Sequence, residues 1–271
     1  MQRVTLDDVV LDYEVLGSGA PVVLIHNGVF ADWFMPLLDQ PVFVNRHRIV
    51  RYHRAGYAGS RALAGTGSFA DHARHCQALL RHLGISSAHV VAHSSGGGVA
   101  LQLAFDAPEV VDSLALLEPP LQSLAPTGPF AAEAAARFGA GDREGAVDTF
   151  LQGVFGPGYR PVLERAIPHA FDHAVRDCVT FFEQEGPALQ QFPFTQDDAR
   201  RITQPVLSVV GADSDAVTPA FRQRHELLLA MLPNVEPLVI PHANHLLDVQ
   251  NPLAVAEGLA AFYAAHVDAR S

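Results

Sequence analysis

The sequence predicts an α/β fold, a doubly wound and mostly parallel β-sheet flanked by helices and interrupted by one helical insertion. Three observations predict it. Short apolar runs alternate with helix-length segments over most of the 271 residues. Several of these runs are continuously apolar, as strands covered on both faces require. One long stretch, residues 119–204, holds no convincing strand but carries nine of the sixteen phenylalanines. The chain is therefore expected to divide into a core, residues 1–118 and 205–271, and a helical lid or cap, residues 119–204, set over the sheet's C-terminal edge.

In chain order, strands are expected over residues 9–16 and 21–26, around the turn Gly17-Ser18-Gly19, and again over 48–53. Phe69, Ala73, Cys76, Leu80 and Leu83 then recur at steps of four and three, which places them on one helix face. Ser68 can cap that helix and Gly84 end it. His72, His75 and His82 lie off the apolar face and are expected in solvent. A strand over 88–93, a tight turn and a helix from Val99 to Phe105 follow, then a strand over 113–118. Helices are expected over 131–138, 143–155 and 167–182. Strands over 205–211 and 235–241 complete the sheet. Thr218-Pro219 and Asn251-Pro252 each read as a cap followed by proline at the first helical position.

Composition narrows the function. Hydrophobic residues make up 49% and charged residues 17%, a globular balance. Asp plus Glu is 29 against 18 Lys plus Arg, a net charge of −11 with no basic cluster. Nucleic acid and anionic membranes are not expected partners. Cys76 and Cys178 are too few for a disulfide framework, and Cys76 falls on an apolar helix face, so a buried free thiol is expected. The opening residues show no leader pattern and no stretch is long and apolar enough to span a bilayer, so a cytoplasmic location is expected.

The most informative stretch is Val90 to Gly98, Val-Val-Ala-His-Ser-Ser-Gly-Gly-Gly. A strand enters, a helix leaves and a serine stands at the apex. Such an elbow needs small residues two before and two after the nucleophile, where backbones crowd. Ser94 has Ala92 and Gly96 there; Ser95 would have His93 and Gly97, and His93 is too large. A serine hydroxyl needs a base, an acid to orient it and donors for an oxyanion. The base candidate is His245, on the loop after the last strand. His242, three residues earlier, is expected at the rim; the pair has no evident third ligand, so no metal site is expected. The first oxyanion donor is the Ser95 N–H. The second is assigned to Gly28, in the loop His26-Asn27-Gly28-Val29. Trp33 and Phe34 follow that loop and are expected to wall the substrate pocket.

The elbow, the His-Asn-Gly loop, Arg54-x-Gly56-x-x-Gly59-Ser60, the Leu-Leu-Glu-Pro step and the C-terminal His-Leu-Leu together resemble the α/β-hydrolase superfamily. The chain departs from the usual pattern at Ala92, Asn27 and His53. The resemblance implies eight mostly parallel strands, a lid inserted after the sixth, and the order serine, acid, histidine. It offers two places for the acid. After the strand over 205–211 the usual aspartate position holds Ser214, flanked by Asp213 and Asp215. Directly after the strand over 113–118 stands Glu118, costly at the end of an apolar strand unless paired. Glu118 is the first candidate, Asp215 the alternative and Asp213 the third. The expected chemistry is hydrolysis of carboxylic esters or lactones with apolar or aromatic groups, through an acyl-enzyme and without a cofactor. C–C bond hydrolysis of a β-diketone-like product, a ligand sensor and a cofactor-free oxygenase are the alternatives.

Overall fold

The computed structural model describes residues 1–62, 67–121 and 128–266. Parts of both expected divisions, 63–66 and 267–271 of the core and 122–127 of the insertion, thus lie outside the described residues. A mixed sheet of nine strands runs in the order β1-β2-β4-β3-β6-β7-β8-β9, with β5 paired to β2. The strands are β1 (Gln2–Leu6), β2 (Val9–Leu16), β3 (Ala20–Ile25), β4 (His47–Tyr52), β5 (Arg61–Ala62), β6 (Ala88–His93), β7 (Val111–Leu117), β8 (Val206–Gly211) and β9 (Val235–Ile240). Pairings that involve β2 are antiparallel and the remainder are parallel.

This corrects the expectation of eight strands. The first strand, β1, is a solvent-facing edge in which only Val4 and Leu6 are half-buried, so it gives little apolar signal. The two-residue β5 is exposed throughout and gives none. With β5 counted, the helical insertion follows the seventh strand rather than the sixth. The central strands are legible for the opposite reason: β6 is buried at every position and β7 at all but one. Apolar side chains on both faces of such strands are removed from water by helices on either side.

Helix α1 (Phe69–His82) begins in a capping box, with Ser68 accepting from Asp71 N–H and the Asp71 carboxylate accepting in return. It ends before Gly84, whose φ is +67°. His82 is exposed as expected, but His72 and His75 are buried. Asp8, in the β1–β2 turn, lies 3.3 Å from His75 and 2.5 Å from Arg74, so the hairpin covers a helix face that local periodicity assigns to solvent. Cys76 and Cys178 are free and buried, and burial pushes the Cys76 thiol up to about 12.

Helix α2 (Gly96–Asp106) follows β6 directly. Between β7 and β8 the chain forms α3 (Phe130–Gly139), α4 (Arg143–Phe155), α5 (Tyr159–Ala166), α6 (Ala170–Thr180), a π-helical turn Phe181–Glu185, α7 (Gly186–Gln191) and α8 (Gln196–Arg201). Because β7 and β8 are adjacent and parallel, the insertion leaves and rejoins at neighbouring strands. Helices α9 (Ala220–Met231) and α10 (Pro252–His266) follow, and α10 ends the described residues. Asn251 accepts from Ala254 N–H at 3.2 Å, a side-chain cap ahead of Pro252. Thr218 holds Ala220 N–H only at 3.4 Å, and α9 starts after Pro219 rather than on it.

Candidate active site

Ser94, Glu118 and His245 come from the carboxyl ends of β6 and β7 and the loop after β9, the edge where open α/β sheets carry their sites. Ser94 has φ +51°, the left-handed region that non-glycine residues rarely adopt. The turn is so tight that a Cβ on Gly96 would lie 2.4 Å from the Ile25 carbonyl oxygen and 2.6 Å from that of His26. Glu118 also has a positive φ, +47°, and Val29 beside Gly28 has +65°. Three of the chain's strained backbones therefore converge on one place, as strain retained for function tends to do.

The side chains form a continuous relay. Ser94 Oγ lies 3.1 Å from His245 Nε2, and His245 Nδ1 lies 2.5 Å from Glu118 Oε2. The other carboxylate oxygen, Oε1, accepts from Gly211 N–H at 2.9 Å and from the Ser214 hydroxyl. Ser214 occupies the place where an aspartate was sought, and serves instead to hold the glutamate. Asp215 points away, into an ion pair with Arg222 at 2.6 Å near the surface. Asp213 is exposed and its side chain makes no helix-cap bond. Exposed His242 lies outside the relay.

Burial dominates the electrostatics of the pair. It pushes the Glu118 carboxyl up to about 7, although Ser214, Gly211 and the nearby Arg224 charge pull it down. Burial first, then Arg224, holds His245 well below its usual range. The two directions agree on the state at neutral pH. The imidazole is uncharged, and a single proton added to the pair belongs to both groups jointly.

Further hydrogen bonds around the relay hold it in place. His93 accepts from the Asn27 amide at 3.0 Å on Nδ1, and its Nε2–H donates to the His245 carbonyl at 3.1 Å. His26 Nε2 accepts from Arg54 N–H at 2.8 Å, so its Nδ1–H donates to the Asn27 carbonyl at 2.7 Å. Arg54 is fully buried and binds both oxygens of Glu185, at 3.1 and 3.0 Å, and the Asn27 carbonyl at 2.9 Å. Tyr57 donates its hydroxyl to the same carboxylate. The Asn244 amide reaches into the insertion and donates to the Phe155 carbonyl at 2.8 Å. Of these, His26, Asn27, His93 and Arg54 stood in recognised motifs; Glu185 carried no local signal, and the contacts of Ser214 and Asn244 could not be read locally, because their partners are distant in sequence.

Above the relay lies a small cavity of about 50 Å3, lined by Ser94, Ser95, Gly28 and His245 below and by insertion residues such as Phe150 and Phe181 above. A Cβ on Gly28 would lie 2.6 Å from the Phe181 ring, so glycine is required there for the insertion to close over the loop. Trp33 and Phe34 correct an expectation, because neither lines the cavity. Trp33 is fully buried, stacked on His93 at 4.5 Å and Phe155 at 5.7 Å, with its indole N–H on Asp248 at 2.7 Å. Phe30 and Phe155 take the wall instead. Phe221 stacks on the His245 ring at 4.0 Å.

Sheet order, elbow and relay define the class, and comparison with known proteins agrees. Residues 21–172, more than half of the chain, match the α/β hydrolase fold, and the chain belongs to that family. The dihydrolipoyllysine-residue acetyltransferase component of the acetoin cleaving system of Pseudomonas putida is 27% identical over 268 residues, which cover 92% of this chain. The chain spans only 65% of that relative's length. Among solved structures, carboxylesterase CesB (YbfK) from Bacillus subtilis superposes with a TM-score of 0.80 at 19% identity, over 97% of this chain and 91% of that one. The enol-lactonase from Burkholderia xenovorans LB400 gives 0.78 at 16% identity, over 97% and 100%. At these identities the structures share the fold. No helix among the described residues is long and apolar enough to cross a membrane.

Proposed function

We propose that this chain is a serine hydrolase that cleaves small carboxylic esters or lactones through an acyl-enzyme. The observation that carries the reading is the buried relay from Ser94 through His245 to Glu118, opening on a cavity. Neutral His245 takes the Ser94 proton from Nε2 while Glu118 holds Nδ1–H, which fixes the productive tautomer. Ser94 attacks the acyl carbon, and the Ser95 and Gly28 N–H groups receive the oxyanion. Ser95 directly precedes α2, so the helix N-terminus adds favourable potential at that point. His245 then returns the proton to the leaving oxygen, and water repeats the sequence in reverse to free the acid.

Residues 119–204 act as the lid of this site. Phe150, Phe155 and Phe181 give it an apolar underside, which suits an apolar or aromatic group on the substrate. The acid stands after β7 rather than β8, and the end of β8 and its loop contribute Gly211 and Ser214, which hold its carboxylate.

Competition labelling tests the reading. A fluorescent fluorophosphonate is added to the wild type and to Ser94→Ala, alongside turnover of p-nitrophenyl esters and of a lactone series. Labelling confined to a protein that carries Ser94, with turnover lost in the variant, is expected. An unlabelled wild type would mean that the serine is not activated and would end the proposal.

A further inference from the structure

Two buried polar atoms beside the assigned oxyanion donors, Asn27 Oδ1 and Ser95 Oγ, have no hydrogen-bond partner among the described residues. Both residues are 3% exposed, and both line the cavity over Ser94. Nearly all buried polar atoms in folded proteins are satisfied, so each exception calls for a reason. The neighbours of the Asn27 amide fix its orientation. The His245 carbonyl can only accept, so His93 Nε2 carries a proton and donates to it at 3.1 Å. Burial keeps the His93 ring uncharged, so its Nδ1 accepts from Asn27 Nδ2–H at 3.0 Å. The free end of the amide is therefore its oxygen, which only accepts. The Ser95 hydroxyl can donate as well as accept.

We infer that Asn27 and Ser95 form a subsite for one hydroxyl group on the carbon next to the scissile carbonyl, so that the preferred substrates are esters or lactones of 2-hydroxy acids. This rests on the hydrolase reading above and specifies its acyl group. A hydroxyl gives its proton to Asn27 Oδ1 and receives one from Ser95 Oγ, so each atom gains the partner it lacks. An amide N–H only donates and would leave Ser95 unpaired. An ether oxygen only accepts and would leave Asn27 unpaired.

The position of that hydroxyl follows from the reaction. Asn27 directly precedes Gly28, and Ser95 carries the other oxyanion donor, so the subsite adjoins the bound carbonyl. The leaving oxygen must face His245 Nε2, which returns its proton. The acyl α-carbon is then the nearest substrate atom that can bear a hydroxyl. A bare acceptor beside the oxyanion would repel the charge that develops there, and a hydroxyl bonded to Oδ1 removes that penalty. Elsewhere the walls include Phe150, Leu151, Phe155 and Phe181, which offer a hydroxyl no partner, and a cavity of about 50 Å3 suits a small acyl group.

The test compares ethyl lactate with ethyl 2-fluoropropanoate, both racemic, by pH-stat titration of the acid released. Fluorine is close in size to the hydroxyl and activates the carbonyl at least as strongly, but it donates nothing. The wild type is expected to show a kcat/KM about tenfold higher for the hydroxy ester. Asn27→Leu and Ser95→Ala should each lose most of that preference, whatever each does to the absolute rate. An unchanged ratio in either variant would overturn the inference; in Ser95→Ala, equal losses on both esters would make its hydroxyl a further donor to the oxyanion instead. Ligand-observed NMR titration of the two esters into Ser94→Ala reads binding without turnover, and a preference for the hydroxy ester is expected there as well. If the wild type hydrolyses neither ester while Ser94→Ala keeps that preference, the hydrolase reading fails and the hydroxyl subsite stands. If the wild type hydrolyses both without preference and Ser94→Ala binds them equally, the subsite alone fails.

Discussion

Glu118 is the residue on which the site turns, because it supplies an acceptor to His245 from inside the core. In Glu118→Gln the amide presents N–H to Nδ1 whenever its oxygen keeps the Gly211 and Ser214 bonds. Nδ1 must then accept, the proton moves to Nε2, and the histidine can no longer take the Ser94 proton. The expected loss in kcat is on the order of 10^4, with KM little changed, measured on a neutral ester. Asp215→Asn breaks only a half-exposed pair and is expected to leave kcat intact and to cost at most about 1 kcal/mol of stability. An inactive Asp215→Asn beside an active Glu118→Gln would reverse the assignment. The pH profile follows from the same pair. A proton added on acidification either makes an imidazolium or protonates the carboxyl, which then donates to Nδ1 and leaves the proton on Nε2. Both forms lack a base, so kcat/KM rises with pH through one apparent ionisation near 7 and then levels. Arg224 disfavours that proton at both groups, so Arg224→Met should move the limb to higher pH. Ser94, His245 and Glu118 were legible because elbow, loop and strand-end positions are local patterns. Glu118 ranks ahead of Asp215 by its place at the end of an apolar strand, but the partners that hold its carboxylate, Ser214 and Gly211, left no local signal, since they come from another strand and its loop.

At the scale of elements, the π-helical turn Phe181–Glu185 joins the insertion to the loop that carries Gly28. Glu185 is 1% exposed and Arg54 not at all, and the pair is completed by the Tyr57 hydroxyl and the Asn27 carbonyl. A buried ion pair of this kind contributes little net stability, yet removal of one partner leaves a charge without compensation. Glu185→Ala should therefore cost about 3–5 kcal/mol in urea unfolding, whereas Arg54→Met/Glu185→Leu should recover most of that loss. Equal losses in the single and double variants would show that packing, not charge, holds the turn. The periodicity of residues 167–182 gave the helix but not its last turn. A wide turn that aims one glutamate at a distant arginine leaves no mark on the hydrophobic pattern.

Across the whole molecule, the parallel centre of the sheet was legible because β3, β6, β7 and β8 must be apolar on both faces, whereas the thin edges β1 and β5 were not. Histidine burial was equally hidden, since the hairpin that covers His75 is far from it in sequence. That burial has a consequence for acid stability. His26, His72 and His93 are held well below the ordinary value of 6.5, chiefly by burial, and His75 and His225 are lowered as well. The opposing groups are fewer. Asp248 is raised to about 7 by burial, and Glu118 and His245 shift in opposite directions and offset each other. For a histidine lowered in the fold, stability is complete above 6.5 and is lost progressively as the pH falls from there toward the depressed folded value, because the unfolded chain binds the proton first. For Asp248 the sign reverses, since the native carboxyl binds a proton that the unfolded one does not. Five histidines against one carboxyl leave the unfolded chain with more protons, so stability should decline steadily from about pH 6.5 to about pH 5, by up to about 1.4 kcal/mol per pH unit for each fully buried histidine left unmatched. Urea unfolding across that range measures the slope directly. His72→Leu should flatten it by close to one proton, because His72 is fully buried and no hydrogen bond satisfies its Nδ1. A slope that is flat in the wild type, or unchanged in His72→Leu, would mean that these rings are protonated inside the fold.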